Sequence, residues 1–221
     1  MKIIKTQKGS LSLLGGKTDM GKSTVACYDC AESLKQGKGV AFFSFEYCQS
    51  VIYNKLVSHF GMKFQDLFKL NVLDASLMDF EAVKKLIKSM KGTVDTVYID
   101  YLDLMAKKTD YNYADFSNIQ KLELKQRMLQ ELAQLSFDLQ IEIIVLARVH
   151  ASLDLDNTID YLNMLTSTSH SPAPVVKMFL AKDELINPIL KASNMSSVII
   201  IDDNNELVLF SSMNLKQIYQ G

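Results

Sequence analysis

Leu11-Ser12-Leu13-Leu14-Gly15-Gly16-Lys17-Thr18-Asp19-Met20-Gly21-Lys22-Ser23-Thr24 is the stretch that decides the fold. A short apolar strand runs into Gly16-x-x-x-x-Gly21-Lys22-Ser23, and helical periodicity follows over Lys22–Gln36. Glycines let successive backbone N–H groups curl around phosphate oxygens with no Cβ in the way. A helix that begins near Gly21 turns the positive end of its dipole on the same anion. Gly16, Lys17, Thr18, Asp19, Met20, Gly21, Lys22, Ser23 and Thr24 are therefore expected to wrap the phosphates of ATP, with Lys22 against the β and γ phosphates. Ser23 offers its hydroxyl to Mg²⁺, a hard cation that prefers oxygen and arrives with the nucleotide. The bland alternative is a glycine-rich turn that matches by chance, on the order of one chain per hundred of this length. Such a turn would lack the flanking strand and helix.

Outward from this loop, β-branched and aromatic runs at Leu11–Leu14, Val40–Phe45, Thr96–Ile99 and Ile143–Leu146 alternate with helical patterns. The helices are expected at Lys22–Gln36, Val51–Phe60, Phe80–Met90 and near Asn118–Leu139, with Gly61 as a helix stop. Continuous apolar strands joined by helices predict an α/β fold of the P-loop NTPase type, a mostly parallel sheet covered on both faces. Asp154–Pro174, polar and rich in Ser and Thr, reads as a long loop. Beyond it Val175–Leu180 reads as a strand, and Ser197–Ile201 and Glu206–Phe210 flank the turn-forming Asp202-Asp203-Asn204-Asn205 as a C-terminal β-hairpin. Residues 1–221 are expected to form one domain.

Composition narrows the function. No apolar run nears the roughly 20 residues of a membrane span, and the start lacks a secretory pattern, so an intracellular, cytoplasmic protein without membrane partners is expected. Three cysteines, Cys27, Cys30 and Cys48, agree with a reducing compartment. Cys27 and Cys30 have metal-like spacing, but they fall on the helix after the phosphate loop, where small apolar side chains pack on a sheet, and no second ligand pair follows. The net charge of −1 lacks the global footprint of an avid nucleic-acid binder. Of 24 basic residues two are arginine, Arg127 and Arg148, so an arginine-lidded small-molecule kinase is disfavoured.

Two acids complete the candidate site. Asp100 closes Val97-Tyr98-Ile99-Asp100 at the carboxyl end of a buried strand, where ligands gather in parallel sheets, and would help to orient Mg²⁺. Glu46 follows the Val40–Phe45 strand, and as a carboxylate beside the γ-phosphate it would polarise an attacking water. The competing reading of Glu46 is an ordinary solvated glutamate at a strand end.

Together these segments resemble the RecA-type ATPase domain of DnaB-family replicative helicases. Phe43-Ser44-Phe45-Glu46 is similar to that family's Ser-Leu-Glu-Met, and Ile99-Asp100-Tyr101-Leu102-Asp103-Leu104-Met105 nearly repeats its Ile-Asp-Tyr-Leu-Gln-Leu-Met. Leu132-Ala133 in the long helix, followed by Ile143-Ile144-Val145-Leu146, keeps the family's order, so the likeness covers roughly residues 10 to 150 and more weakly the remainder. The resemblance implies that Glu46 is the catalytic carboxylate, Lys22 and Ser23 the Walker A contacts, and Asp100 the Walker B acid.

There are also departures. Ala147-Arg148 stands where the family has Ser-Gln, placing a cation at a neutral γ-phosphate sensor, and Ile201–Asn205 stands where it has a Lys-x-Arg finger. About ten residues precede the first strand, which leaves no room for the family's N-terminal domain or linker helix. The expectation is a reduced, stand-alone RecA/DnaB-like ATPase in DNA replication or recombination, helicase-like or accessory to a helicase. Its partners would be single-stranded DNA and replication or recombination proteins, with homo-oligomerisation open. The alternative is a degenerate ATP-binding module that docks on a partner without motor activity. Arg148 reads either as a phosphate sensor in cis, and so catalytic, or as a salt bridge to a neighbouring acid. Lys107–Phe116, basic and aromatic, reads either as a DNA-stacking loop or as a solvated loop whose aromatics fold back.

Overall fold

A computed structural model describes residues 4, 7–18, 20–149, 155–166, 175–182, 195–201 and 207–214, with only the backbone course for 155–159 and the last three strands. The elements run β1 (Leu11–Gly16), α1 (Lys22–Lys35), β2 (Val40–Ser44), α2 (Gln49–Phe60), a 3₁₀ turn (Phe64–Lys69), β3 (Leu70–Asp74), α3 (Phe80–Ser89), β4 (Thr96–Asp100), α4 (Leu102–Thr109), α5 (Asn118–Leu139), β5 (Glu142–Arg148), α6 (Leu155–Thr166), β6 (Val175–Lys182), β7 (Met195–Ile201) and β8 (Leu207–Asn214). The sheet order is β3-β2-β4-β5-β1-β6-β7-β8. Pairing is parallel from β3 to β6 and antiparallel for β6–β7 and β7–β8. The expected parallel α/β sheet is therefore found. The turn residues 202–205 of the expected hairpin, and Asp19 of the phosphate loop, lie outside the described residues.

The central strands are mostly apolar because both faces are covered, with Ser12, Ser44, Thr96, Asp100 and Glu142 as buried polar positions. Leu11, Leu13, Ala41, Phe43, Val97, Ile99, Ile143 and Val145 point to one core with α3, α4 and α5. Leu14, Val40, Phe42, Tyr98, Ile144 and Leu146 point to the other with α1 and α2. Side chains alternate across a strand with period two, so a strand buried on both sides needs no polar positions. A polar exception inside the second core is Asp29, buried on α1, which accepts from the Tyr98 hydroxyl at 2.8 Å and from the Ile4 N–H at 3.2 Å.

Local chemistry sets the helix ends. Ser117 caps α5 by accepting from the Gln120 N–H, while the Gln120 side chain accepts from the Ser117 N–H, a reciprocal capping box. Asp79 caps α3 through the Ala82 N–H. Gly61 ends α2 with φ 62°, as its sequence position predicts.

Two readings are corrected, and one strand was not anticipated. Asp154–Pro174 is not a continuous loop, because Leu155–Thr166 forms α6, with Leu162 and Leu165 fully buried. Apolar residues at 155, 159, 162 and 165 carry a helical spacing that the surrounding Asp, Asn and Thr obscure. The 107–116 segment is not a loop from its start, since α4 continues to Thr109. Its aromatics divide: Tyr113 is buried and Phe116 packs on the core, while Tyr111 is wholly exposed. The edge strand β3, half of whose residues face outward, has too short an alternation to stand out in the sequence.

Candidate functional site

Register brings the predicted residues to one line. β5 lies between β4 and β1, pairing Asp100 with Leu146 and Gly16 with Arg148, and β2 pairs Ser44 with Asp100. The loops after β1, β2, β4 and β5 therefore open at one sheet edge. They enclose a cleft of about 280 Å³ lined by Thr18, Gly21, Lys22, Ser23, Thr24, Glu46 and Asp100, together with Tyr47, Lys55, Tyr101 and Arg148. Every described member of the predicted site except Gly16, Lys17 and Met20 lines this cleft. Gly16 and Lys17 border it through Lys22, and Met20 is buried in the α1–α2 core.

The loop has the features an anion requires. Gly21, at the start of α1, has φ 86°, a left-handed conformation that glycine adopts without strain. Among the described residues no side chain caps α1 and no acid occupies its first turn, which leaves its leading N–H groups available at the cleft. The Lys22 ammonium donates to the carbonyls of Gly16 at 2.8 Å and Lys17 at 2.6 Å, arching over the loop. Burial pulls the Lys22 pKa below its ordinary value, and Arg148 adds to that, while Asp100, Asp103 and Glu46 oppose it.

Asp100 is the group that most needs a cation. It is 1 % exposed, and its Oδ2 has no hydrogen-bond partner among the described residues. Burial raises its pKa to about 6, opposed by a hydrogen bond from Ser23 and the charges of Lys22 and Lys55, with Glu46 adding to the rise. An orphaned buried carboxylate oxygen beside a serine hydroxyl is an oxygen donor set that suits Mg²⁺. Glu46 is exposed at the cleft rim, with a side chain free to meet solvent or ligand.

Three lining residues were not anticipated. Tyr47 and Lys55 meet across the opening, the Lys55 ammonium 4.6 Å from the ring centroid. Lys55 lies on α2, and only folding brings that helix face to the phosphate loop. The Tyr101 ring lies under the Arg148 guanidinium at 4.8 Å. Arg148 is thus neither loose nor bound to an acid by its guanidinium among the described residues; Asp103 instead accepts from its backbone N–H at 3.1 Å. Cys27 and Cys30 are packed inside α1's buried face, and burial pushes the Cys27 thiol up to about 12.

No family model matches the chain, and no curated protein matches it in sequence. Solved structures do match. One of them, an ATPase domain, superposes with a TM-score of 0.71 at 16 % identity over 98 % of this chain and 84 % of that one. A DnaB-like replicative helicase, solved in a study of its interactions with primase, gives a TM-score of 0.64 at 17 % identity over 92 % of this chain and 54 % of its own; the present chain spans about half of that protein. A KaiC-like protein from the hyperthermophilic archaeon Pyrococcus horikoshii OT3 gives 0.57 at 16 % identity over 92 % and 90 %. The chain has the RecA-like P-loop fold of these neighbours. At such identities the likeness is one of fold.

Proposed function

We propose that the chain binds MgATP at the β1–α1 loop and hydrolyses it, as a RecA/DnaB-like ATPase in DNA replication or recombination. The observation that carries this reading is the meeting of Lys22, Ser23, Glu46, Asp100 and Arg148 around one cleft, from four separate strand ends. Lys22 gives up its loop carbonyls to the β and γ phosphates, where α1's leading N–H groups also point. Ser23 and Asp100 hold Mg²⁺, which when bound neutralises charge on the phosphate oxygens. Glu46 accepts a proton from the attacking water, and Arg148 meets the charge that develops on the transferring phosphoryl group.

The setting in DNA metabolism has slimmer support: the fold shared with a DnaB-like replicative helicase, and the exposed Tyr111 beside the exposed Lys107 and Lys108. The test is phosphate release from MgATP with and without single-stranded DNA. Turnover that single-stranded DNA stimulates supports the whole reading. Tight MgATP binding with no turnover in either condition favours a nucleotide-holding module that docks on a partner protein.

A further inference from the structure

Beside the nucleotide cleft lies a second cleft of about 430 Å³, between α4, α5 and α6, and Arg148 lines both. Asp103 lines the second cleft next to Arg148. One of its oxygens pairs with the Lys125 ammonium, and the other accepts from the Arg148 N–H at 3.1 Å. Lys125 is 8 % exposed on α5 and also donates to the Tyr161 hydroxyl of α6 at 3.2 Å. A buried ion pair is a poor stabiliser, because desolvating both charges offsets most of their attraction. What it does supply is direction: with one carboxylate oxygen held by Lys125, the other is aimed at the end of β5.

Arg148 needs such an aim. Its side chain is exposed and rich in rotamers, yet it stands at the last residue of β5, where strand pairing stops. On one side Val149 donates to the Gly16 carbonyl at 3.1 Å, tying the chain to the phosphate loop. On the other Asp103 grips the Arg148 backbone, while Tyr101 lies under the guanidinium. Asp100, Tyr101 and Asp103 thus stand where β4 passes into α4, a junction that carries the buried acid, the ring beneath the arginine and the arginine's backbone anchor.

We propose that Asp103, held by Lys125, which in turn donates to Tyr161, is a positioning residue that sets Arg148 against the phosphate. This rests on Arg148 meeting phosphate, as in the function proposed above. The test is a double-mutant cycle on the full chain. Asp103→Leu with Lys125→Met replaces the ion pair by apolar groups of similar size, so that no buried charge is stranded. In this pair of changes KM for MgATP should stay within about twofold and kcat should fall about tenfold. The same pair in an Arg148→Ala background should change kcat less than twofold, since the residue being positioned is gone. Asp103→Asn, which keeps the shape, should lose about threefold, again only when Arg148 is present, and it decides the matter if the apolar pair does not fold in thermal denaturation.

Equal losses in both backgrounds, or full kcat in the apolar pair, overturn the proposal and leave the ATPase reading intact. Should the wild type bind MgATP without turnover, the same cycle is read in the ratio of ATP to ADP affinity. That preference should fall with Asp103 altered only while Arg148 is present, and additive effects overturn the proposal there as well. A wild type that neither binds nor hydrolyses MgATP overturns the function reading, and this proposal with it.

Discussion

Lys22 and Glu46 separate binding from chemistry. Lys22→Ala removes the ammonium that reaches over the phosphate loop and strips a triphosphate of its main cationic partner, so nucleotide binding measured by calorimetry should fall below detection or weaken severely. Wild-type affinity would place the phosphates elsewhere. Glu46→Gln keeps the shape but cannot accept a proton, so MgATP affinity should persist while phosphate release is lost. Unchanged turnover would make Glu46 an ordinary rim glutamate. Asp100 allows a prediction of opposite sign for stability. Its pKa rises from 3.8 to about 6, so the folded state binds more protons than the unfolded one between those values. The protein free of nucleotide therefore loses stability as pH rises through that window, and the cost is fully present above it. Asp100→Asn should remove that cost, raising stability at pH 7 by on the order of 1–3 kcal/mol in denaturant titration while abolishing turnover. A less stable Asn variant would show that the carboxylate is already compensated.

At the scale of elements, the site depends on packing well away from it. α5 brings Lys125 to Asp103, and its start depends on the Ser117–Gln120 capping box. Ser117 is exposed, so Ser117→Ala should report the cap alone, at a cost of about 1 kcal/mol in chemical denaturation. Gly39 shows a tighter constraint. A Cβ there would stand 1.9 Å from the Thr93 carbonyl oxygen, where the chain enters β2 beside β4. Gly39→Ala therefore forces backbone apart at the two strands that deliver Glu46 and Asp100, and it should cost about 3 kcal/mol, as overpacking does at its upper end. A neutral Gly39→Ala would mean that the loop before β4 yields freely. Gly21 was legible as a phosphate-loop glycine from spacing alone, whereas nothing in the neighbourhood of Gly39 announces its contact, which comes from Thr93, beyond two intervening helices.

For the molecule as a whole, the question is where the positive charge on the transition state comes from. Arg148 lines the same cleft as Lys22 in the same chain, so under the proposed function it would supply the cation without a second copy. Phosphate release should then be first order in protein over a wide concentration range, followed alongside the mass in solution, and Arg148→Ala should lower turnover far more than binding. A steep rise in specific activity on association, with Arg148→Ala still active, would point to a lysine such as Lys177 or Lys182 acting between copies. Among the described residues no helix is long and apolar enough to cross a membrane.

The sequence by itself determined the glycine-rich turn from β1 into α1, the alternation of strand and helix, and the placing of acids after β2 and at the end of β4, because each is a local pattern whose spacing has one inexpensive backbone solution. The glycines of the loop and the apolar runs of β1, β2, β4 and β5 all carried their own signals. α6 and β3 did not. A short amphipathic helix among polar residues and a half-exposed edge strand are stabilised chiefly by what they pack on, and that is written elsewhere in the chain. Only the tertiary structure decided that Lys55 and Tyr47 close over the cleft, that Tyr101 lies beneath Arg148, and that Asp103 joins Lys125 to the end of β5. Asp103 and Arg148 are 45 residues apart and Lys125 stands on α5, away from both the helix of Asp103 and the strand of Arg148, so their meeting follows from strand order and helix packing, on which local spacing has no hold.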